Sequence, residues 1–259
     1  MSFPKSALIL GATGETGRQL LRELITSPTF TRVCEAGRRV TSTENLPVQA
    51  RGKLEQKVIN FERLDEARLN EGKWDVVFIT SVPSVVLHRR DSLIIVVCRL
   101  GTTAKLAGSQ EKFTKIDRDY VVNAAKAAKV DKDQRLIYIS APMANPESSI
   151  FYSRSKGLTE QALAELGYKD TIIFRPAALA NTQRSDSRLG ERTLLAVTGI
   201  LSRFTTRLEI GVDKLAKSAR IVGELGTSGL PPGIHAPQMN WGGRNFTMID
   251  NQNAVALSG

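Results

Sequence analysis

Tyr152 and Lys156 stand four positions apart in "FYSRSKGLTEQ", a spacing that places two side chains on one face of a helix. Such a pair can do acid–base work. A free phenol ionises near pH ~10 and is a poor base at neutrality, and an ammonium group one helical turn away favours the phenolate. Ser140 ends the apolar run "RLIYIS" just before this segment. A hydroxyl there could hold a carbonyl oxygen while Tyr152 delivers a proton to it. The pattern Y-x-x-x-K also arises often by chance, and taken alone it reads more readily as a packed ring beside a solvated amine.

A second motif decides between these readings. "GATGETG" places Gly11, Gly14 and Gly17 directly after the β-type run "ALIL" and at the start of the helical pattern "ETGRQLLRELI". In a strand–loop–helix unit the first glycine permits a tight turn. The second lets a pyrophosphate approach the backbone, and the third lets helix and strand pack closely. The helix amides then favour the phosphates. Three glycines without that context would be weak evidence. The end of the next strand selects the cofactor. "EAGRRV" supplies Arg38 and Arg39, whose guanidinium forks suit a ribose 2′-phosphate. Glu35 lies inside the strand and is less well placed for a ribose hydroxyl. The expected cofactor is NADP(H), which carries a hydride for Tyr152 and Ser140 to use.

These motifs need a scaffold, and the chain spells one. Strand patterns at 7–10, 32–37, 56–61, 74–80, 135–140 and 171–175 alternate with helical patterns at 15–25, 113–129 and 155–166. Such alternation gives parallel strands with crossover helices: an α/β doubly wound parallel sheet, or Rossmann fold. Residues 1–176 are expected to form the dinucleotide-binding core. Residues 177–259 are expected to form a small C-terminal lobe of the same domain on the substrate side, with a helix at 211–225, a Gly/Pro-rich loop at 226–243 and the strand "NFTMID". With 259 residues and 41% hydrophobic content the chain can bury a substantial core.

Composition excludes several functions. Two cysteines, Cys34 and Cys98, are too few for a disulfide framework, and two distant histidines, His88 and His235, offer no metal cluster. The formal charge, 36 − 26 = +10, attracts polyanions. No basic block is interleaved with aromatics, so nucleic acid is not an expected partner. The opening "MSFPKSALIL" reads as an early strand rather than a secretory leader. No apolar run approaches the ~18 residues of a membrane span. The Asn245-Phe246-Thr247 sequon has no secretory context to give it meaning.

The stretches "LGATGETGRQLL", "GRR", "LGTT…AG", "DRDYV", "YSRSKG" and "FRPAAL…SR" together resemble the short-chain dehydrogenase/reductases. More narrowly they are similar to the atypical group that contains the Tat-interacting protein and its fungal relatives. The likeness runs from residue 8 to about 190. It implies a Rossmann fold that binds NADPH and acts on a small carbonyl or alcohol substrate. It also implies cofactor contacts at Thr13, Gly14, Glu15, Thr16, Arg38, Arg39, Leu100 and Gly101, with Tyr152, Lys156, Leu179 and Arg188 beside them. The fungal branch implies a peripheral position on the cytosolic side of the mitochondrial outer membrane, and the basic charge would suit an anionic membrane surface. A binding module that uses NADPH to control a protein partner, with little turnover, is the competing function.

One segment departs from the family pattern. There the fourth strand runs almost directly into "LGTT", whereas here residues 81–99 intervene. They read either as a loop or hairpin at the nucleotide rim or, preferably, as a retained in-frame intron. The run "LIIVVC" within them could compete with "DVVFIT" for the fourth strand position.

Overall fold

Strand β1 (Lys5–Leu10) runs between two parallel neighbours, β2 (Phe30–Gly37) and β4 (Val76–Thr80). Its side chains alternate between two apolar layers: Ala7 and Ile9 pack on one side of the sheet, Leu8 and Leu10 on the other. A strand buried on both faces reads as an unbroken apolar run, which is why "ALIL" carries no polar partner residues. The computed structural model describes residues 3–44, 46–47, 52–80, 84–90, 93–99, 110–180, 209–241 and 243–259, with the backbone alone at 84–90, 93–99, 178 and 180.

The main sheet also contains β3 (Leu54–Val58), β7 (Arg135–Ile139), β8 (Asp170–Arg175), β11 (Gln238–Trp241) and β12 (Arg244–Asp250). Its order is β11-β12-β8-β7-β4-β1-β2-β3, all parallel except the edge strand β11. This is the doubly wound α/β sheet the sequence called for. Strand order reverses at β1 and β4, the switch point where such sheets bind ligands beyond their carboxyl ends.

Helix α1 (Glu15–Thr26) and helix α5 (Val212–Leu225) cover one face. Arg220 ties them together, pairing with Glu23 at 2.9 Å and with Glu224 at 2.8 Å. The other face is covered by α3 (Tyr120–Ala128) and α4 (Phe151–Glu165). A short helix α2 (Gln110–Thr114) leads into α3 through a wide π turn at Lys115–Asp119. The single helix expected over 113–129 is therefore interrupted.

Val76–Thr80, not "LIIVVC", takes the fourth strand position. Its five residues are all buried. Asp75, just before it, accepts hydrogen bonds from the Ser6 backbone (2.7 Å) and hydroxyl (2.8 Å), fixing its register beside β1. Strands β5 (Ser84–Arg90) and β6 (Leu93–Arg99) instead pair antiparallel with each other, outside the main sheet. Strands β9 (Ala178–Ala180) and β10 (Glu209–Gly211) form a second small pair. The chain ends in α6 (Asn251–Leu257), a helix without a legible apolar period. Its start is fixed by Asp250, whose side chain accepts the Asn253 N–H at 2.8 Å.

Candidate functional site

The phosphate loop is built by close backbone approach. Gly11 has φ = +88°, and a Cβ there would lie 2.4 Å from the Thr80 carbonyl oxygen. A Cβ on Gly17 would lie 2.1 Å from the Gly11 carbonyl oxygen. Both positions exclude any larger residue. The Thr80 hydroxyl donates to the Leu10 and Gly11 carbonyls, at 3.2 and 3.1 Å, and so ties the loop to the end of β4. Gly14 caps α1 without a side-chain hydrogen bond, leaving first-turn amides for an anion. Thr16 is buried and its Oγ1, like Glu15 Oε1, has no hydrogen-bond partner among the described residues. The Thr16 hydroxyl, a donor beside a glycine cradle, fits a dinucleotide phosphate; the Glu15 carboxylate contributes no donor to it.

A cavity of about 310 Å³ opens from this loop. Gly11, Thr13 and Gly14 line it together with Arg38 and Arg39 at the end of β2, and with Asp117 and Tyr120 from the π turn and α3. Asp117 is the one carboxylate among its described lining residues. A second recess, of about 410 Å³, adjoins it at Thr13 and Arg39 and is lined by Arg18 and Arg22 of α1. Glu35, the acid that could have bound a ribose hydroxyl, is engaged elsewhere. It is buried and accepts from the Thr41 backbone (2.9 Å), the Thr41 hydroxyl (2.8 Å) and the Gln56 amide (2.8 Å). The Arg38/Arg39 end of the groove therefore presents cations, while Glu35 beside it is engaged within the protein.

The other end of the site is more tightly organised than the motif implies. Lys156 is fully buried, and its ammonium donates to Asp117 Oδ1 at 2.7 Å and to the Tyr138 hydroxyl at 3.3 Å. The ammonium lies 5.9 Å from the Tyr152 ring centre. Helix α4 begins at Phe151, earlier than the expected 155, so Tyr152 sits in its first turn and shares a face with Lys156. The Tyr152 ring meets Phe113 edge-on at 6.3 Å. Burial pulls Lys156 toward losing its proton; the Asp117 charge, the Tyr138 oxygen and their hydrogen bonds outweigh burial and push its pKa up.

Ser140 follows β7 and is fully buried. Its Oγ makes no hydrogen bond of good geometry; the polar group beside it is the Glu160 carboxylate. Burial raises the Glu160 pKa despite the Arg175 guanidinium, whose Nη2 approaches to 2.5 Å, and despite Ser140. Arg175 thus points at Glu160 and lies 5.4 Å from the Trp241 ring centre. Leu179 is partly buried against the core in β9. Leu100, Gly101 and Arg188 lie outside the described residues. Asp117, Thr80, Arg18 and Arg22 were not singled out from sequence. Asp117 stands in the quoted "DRDYV", but nothing in that spelling shows which acid turns inward.

The geometry is that of a Rossmann-type nicotinamide-dinucleotide-binding fold, and comparison with known proteins agrees. The chain is 35% identical over 187 residues to protein HTATIP2 of Rattus norvegicus, covering 72% of this chain and 67% of that one. It is 30% identical over 232 residues to the mitochondrial protein fmp52 of Aspergillus fumigatus, covering 87% and 90%. The chain belongs to the family of HTATIP2, the Tat-interacting protein, and the fungal FMP52 proteins. No family model matches it. Among solved structures, BdcA in complex with NADPH superposes with a TM-score of 0.57 at 14% identity, covering 96% of this chain and 94% of that one. The Bordetella bronchiseptica enzyme WbmF in complex with NAD+ and UDP gives 0.55 at 13%, covering 87% and 70%. At such identities these two structures establish the fold alone. The fungal relatives are named mitochondrial. Among the described residues no helix is long and apolar enough to cross a membrane.

Proposed function

We propose that the protein is an NADPH-dependent oxidoreductase that interconverts a carbonyl and an alcohol on a small substrate. One observation carries the reading: a single cavity has Arg38 and Arg39 among its walls and also Asp117, which holds Lys156 one helical turn from Tyr152. Gly11, Gly14 and Gly17 let the backbone approach the pyrophosphate, and Arg38, Arg39 and the neighbouring Arg18 and Arg22 favour a 2′-phosphate. The bound nicotinamide supplies the hydride. Tyr152 donates the proton to the substrate oxygen, Lys156 supplies positive charge beside the phenol, and Ser140 offers a hydroxyl to the same oxygen. Fluorescence titration with NADPH and NADH, followed by cofactor oxidation against a panel of aldehydes and ketones, tests this. Tight NADPH binding with carbonyl-dependent oxidation is expected; failure to bind either nucleotide overturns the reading.

A second reading is favoured by the depth of the catalytic groups. Ser140 and Lys156 are both fully buried, so an NADPH-gated interaction protein with little turnover would show the same nucleotide affinity and a silent carbonyl panel. We place the protein on the cytosolic face of the mitochondrial outer membrane, held at an anionic lipid surface; the names of the fungal relatives and the formal charge of +10 support this. Release of the protein from isolated mitochondria by salt, together with sensitivity to added protease, is the expected result.

A further inference from the structure

We infer that Asp117 is a positioning residue: it holds Lys156 as an ammonium ion inside the protein and through it sets the acidity of Tyr152. The inference rests on the catalytic reading of Tyr152 and deepens it. Lys156 has no exposure to water, and Asp117 retains only 12% of its side-chain exposure. The other Asp117 oxygen, Oδ2, is buried with no hydrogen-bond partner among the described residues. The carboxylate's compensation is therefore concentrated on one ammonium, 2.7 Å away. A charge so enclosed keeps its proton only while its counter-ion stays.

The groups facing the ammonium come from several elements. Asp117 approaches from the π turn and the Tyr138 hydroxyl from β7. Tyr152 lies on the same helix α4, with its ring centre 5.9 Å from Nζ. Glu160 lies on that helix too and feels the Lys156 charge, but its ion pair, 2.5 Å, is with Arg175 of β8. Tyr138 brings a hydroxyl, not a carboxylate, to the ammonium. Asp117 is thus the anion assigned to Lys156. It is also the point at which the ion pair meets the nucleotide cavity, because Asp117 lines that cavity and Lys156 does not.

The test uses unliganded protein, so it separates failure of this inference from failure of the catalytic reading. Asp117→Asn keeps the size and an acceptor oxygen but removes the charge. Burial then dominates, and Lys156 gives up its proton at a lower pH than an unfolded lysine does. Near-ultraviolet phenolate absorbance, taken as the difference between each protein and its Y152F partner, should show Tyr152 ionising at higher pH in D117N than in wild type. An unchanged or lower transition overturns the inference.

Chemical denaturation across pH is the second measurement, and its sign is fixed by linkage. In wild type the Lys156 pKa is raised above the unfolded value, so its contribution is fully present below pH ~10.5 and is lost only above it. In D117N the folded pKa falls below the unfolded one, so stability gains as pH rises. The gap to wild type should be widest near pH ~6 and close toward pH ~10. Lys156→Met removes the ammonium itself, so its gap to wild type should narrow only as pH rises above ~10.5. The D117N/K156M protein should not gain stability with rising pH as D117N does. A gap between wild type and D117N that does not change with pH overturns the inference, as does a pH-independent gap for K156M should D117N fail to fold.

Discussion

At the scale of single residues the site divides into groups that select a nucleotide and groups that handle a proton. Arg38 and Arg39 belong to the first. A hydrogen bond to a charged group contributes roughly 1.5–3 kcal/mol. The R38A/R39A protein should therefore lose about 10- to 100-fold more affinity for NADPH than for NADH; equal losses would remove the 2′-phosphate role. Tyr152 belongs to the second. Tyr152→Phe should lower turnover by about 10²–10⁴-fold while NADPH affinity is retained, and turnover that survives would reject Tyr152 as the acid. Sequence alone identified these side chains because each is a chemically marked type at a marked position. It could not show that Glu35 is consumed by Thr41 and Gln56, nor that Asp117 turns inward. Those facts depend on partners distant in the chain: Gln56 reaches Glu35 from the neighbouring strand, and Asp117 meets Lys156 across 39 positions. Cys34 shows the same limit. Burial pushes its thiol up to about 11, so it should resist alkylation in the folded protein at mildly alkaline pH and react on denaturation.

At the scale of elements, periodicity carried most of the information. The inner strands are continuous apolar runs and α1 shows a one-sided stripe, so both were legible within a few residues. The π turn was not, because Lys115–Asp119 offers no Gly or Pro to mark an interruption. The start of α4 at Phe151 was missed because Ile150, its N-cap residue, provides no side-chain cap of the kind that announces a helix. Helix α6 was missed for a related reason: its Asp250 cap stands at the end of a strand, where the letter looked like the strand's last residue. The glycine loop gives the sharpest test at this level. Gly17→Ala forces a methyl group against the Gly11 carbonyl, so the loop must shift away from Thr80. NADPH affinity should fall at least about tenfold, or ~1.4 kcal/mol, and isothermal titration would show it. Full affinity in G17A would mean that the loop is not the phosphate seat.

At the scale of the whole molecule, the doubly wound order was legible because alternation of strand and helix leaves few other topologies. The positions of β11 and β12 at the far edge were harder to foresee. They join the sheet after a long excursion, and local pattern does not specify which edge a returning strand will choose. Strands β5 and β6 pair with each other and take no place in the main ladder. Our reading of residues 81–99 as a retained intron predicts that mass spectrometry of the native protein will recover no peptide from within them; one such peptide would overturn it. The position of the segment has a further consequence, since in sequence it follows directly on Thr80, the residue that buttresses Gly11. A transcript processed either way would keep the same eight strands of the main sheet, so a cell making both forms would hold two isoforms alike in their glycine loop and differing in the stretch of sequence that follows β4.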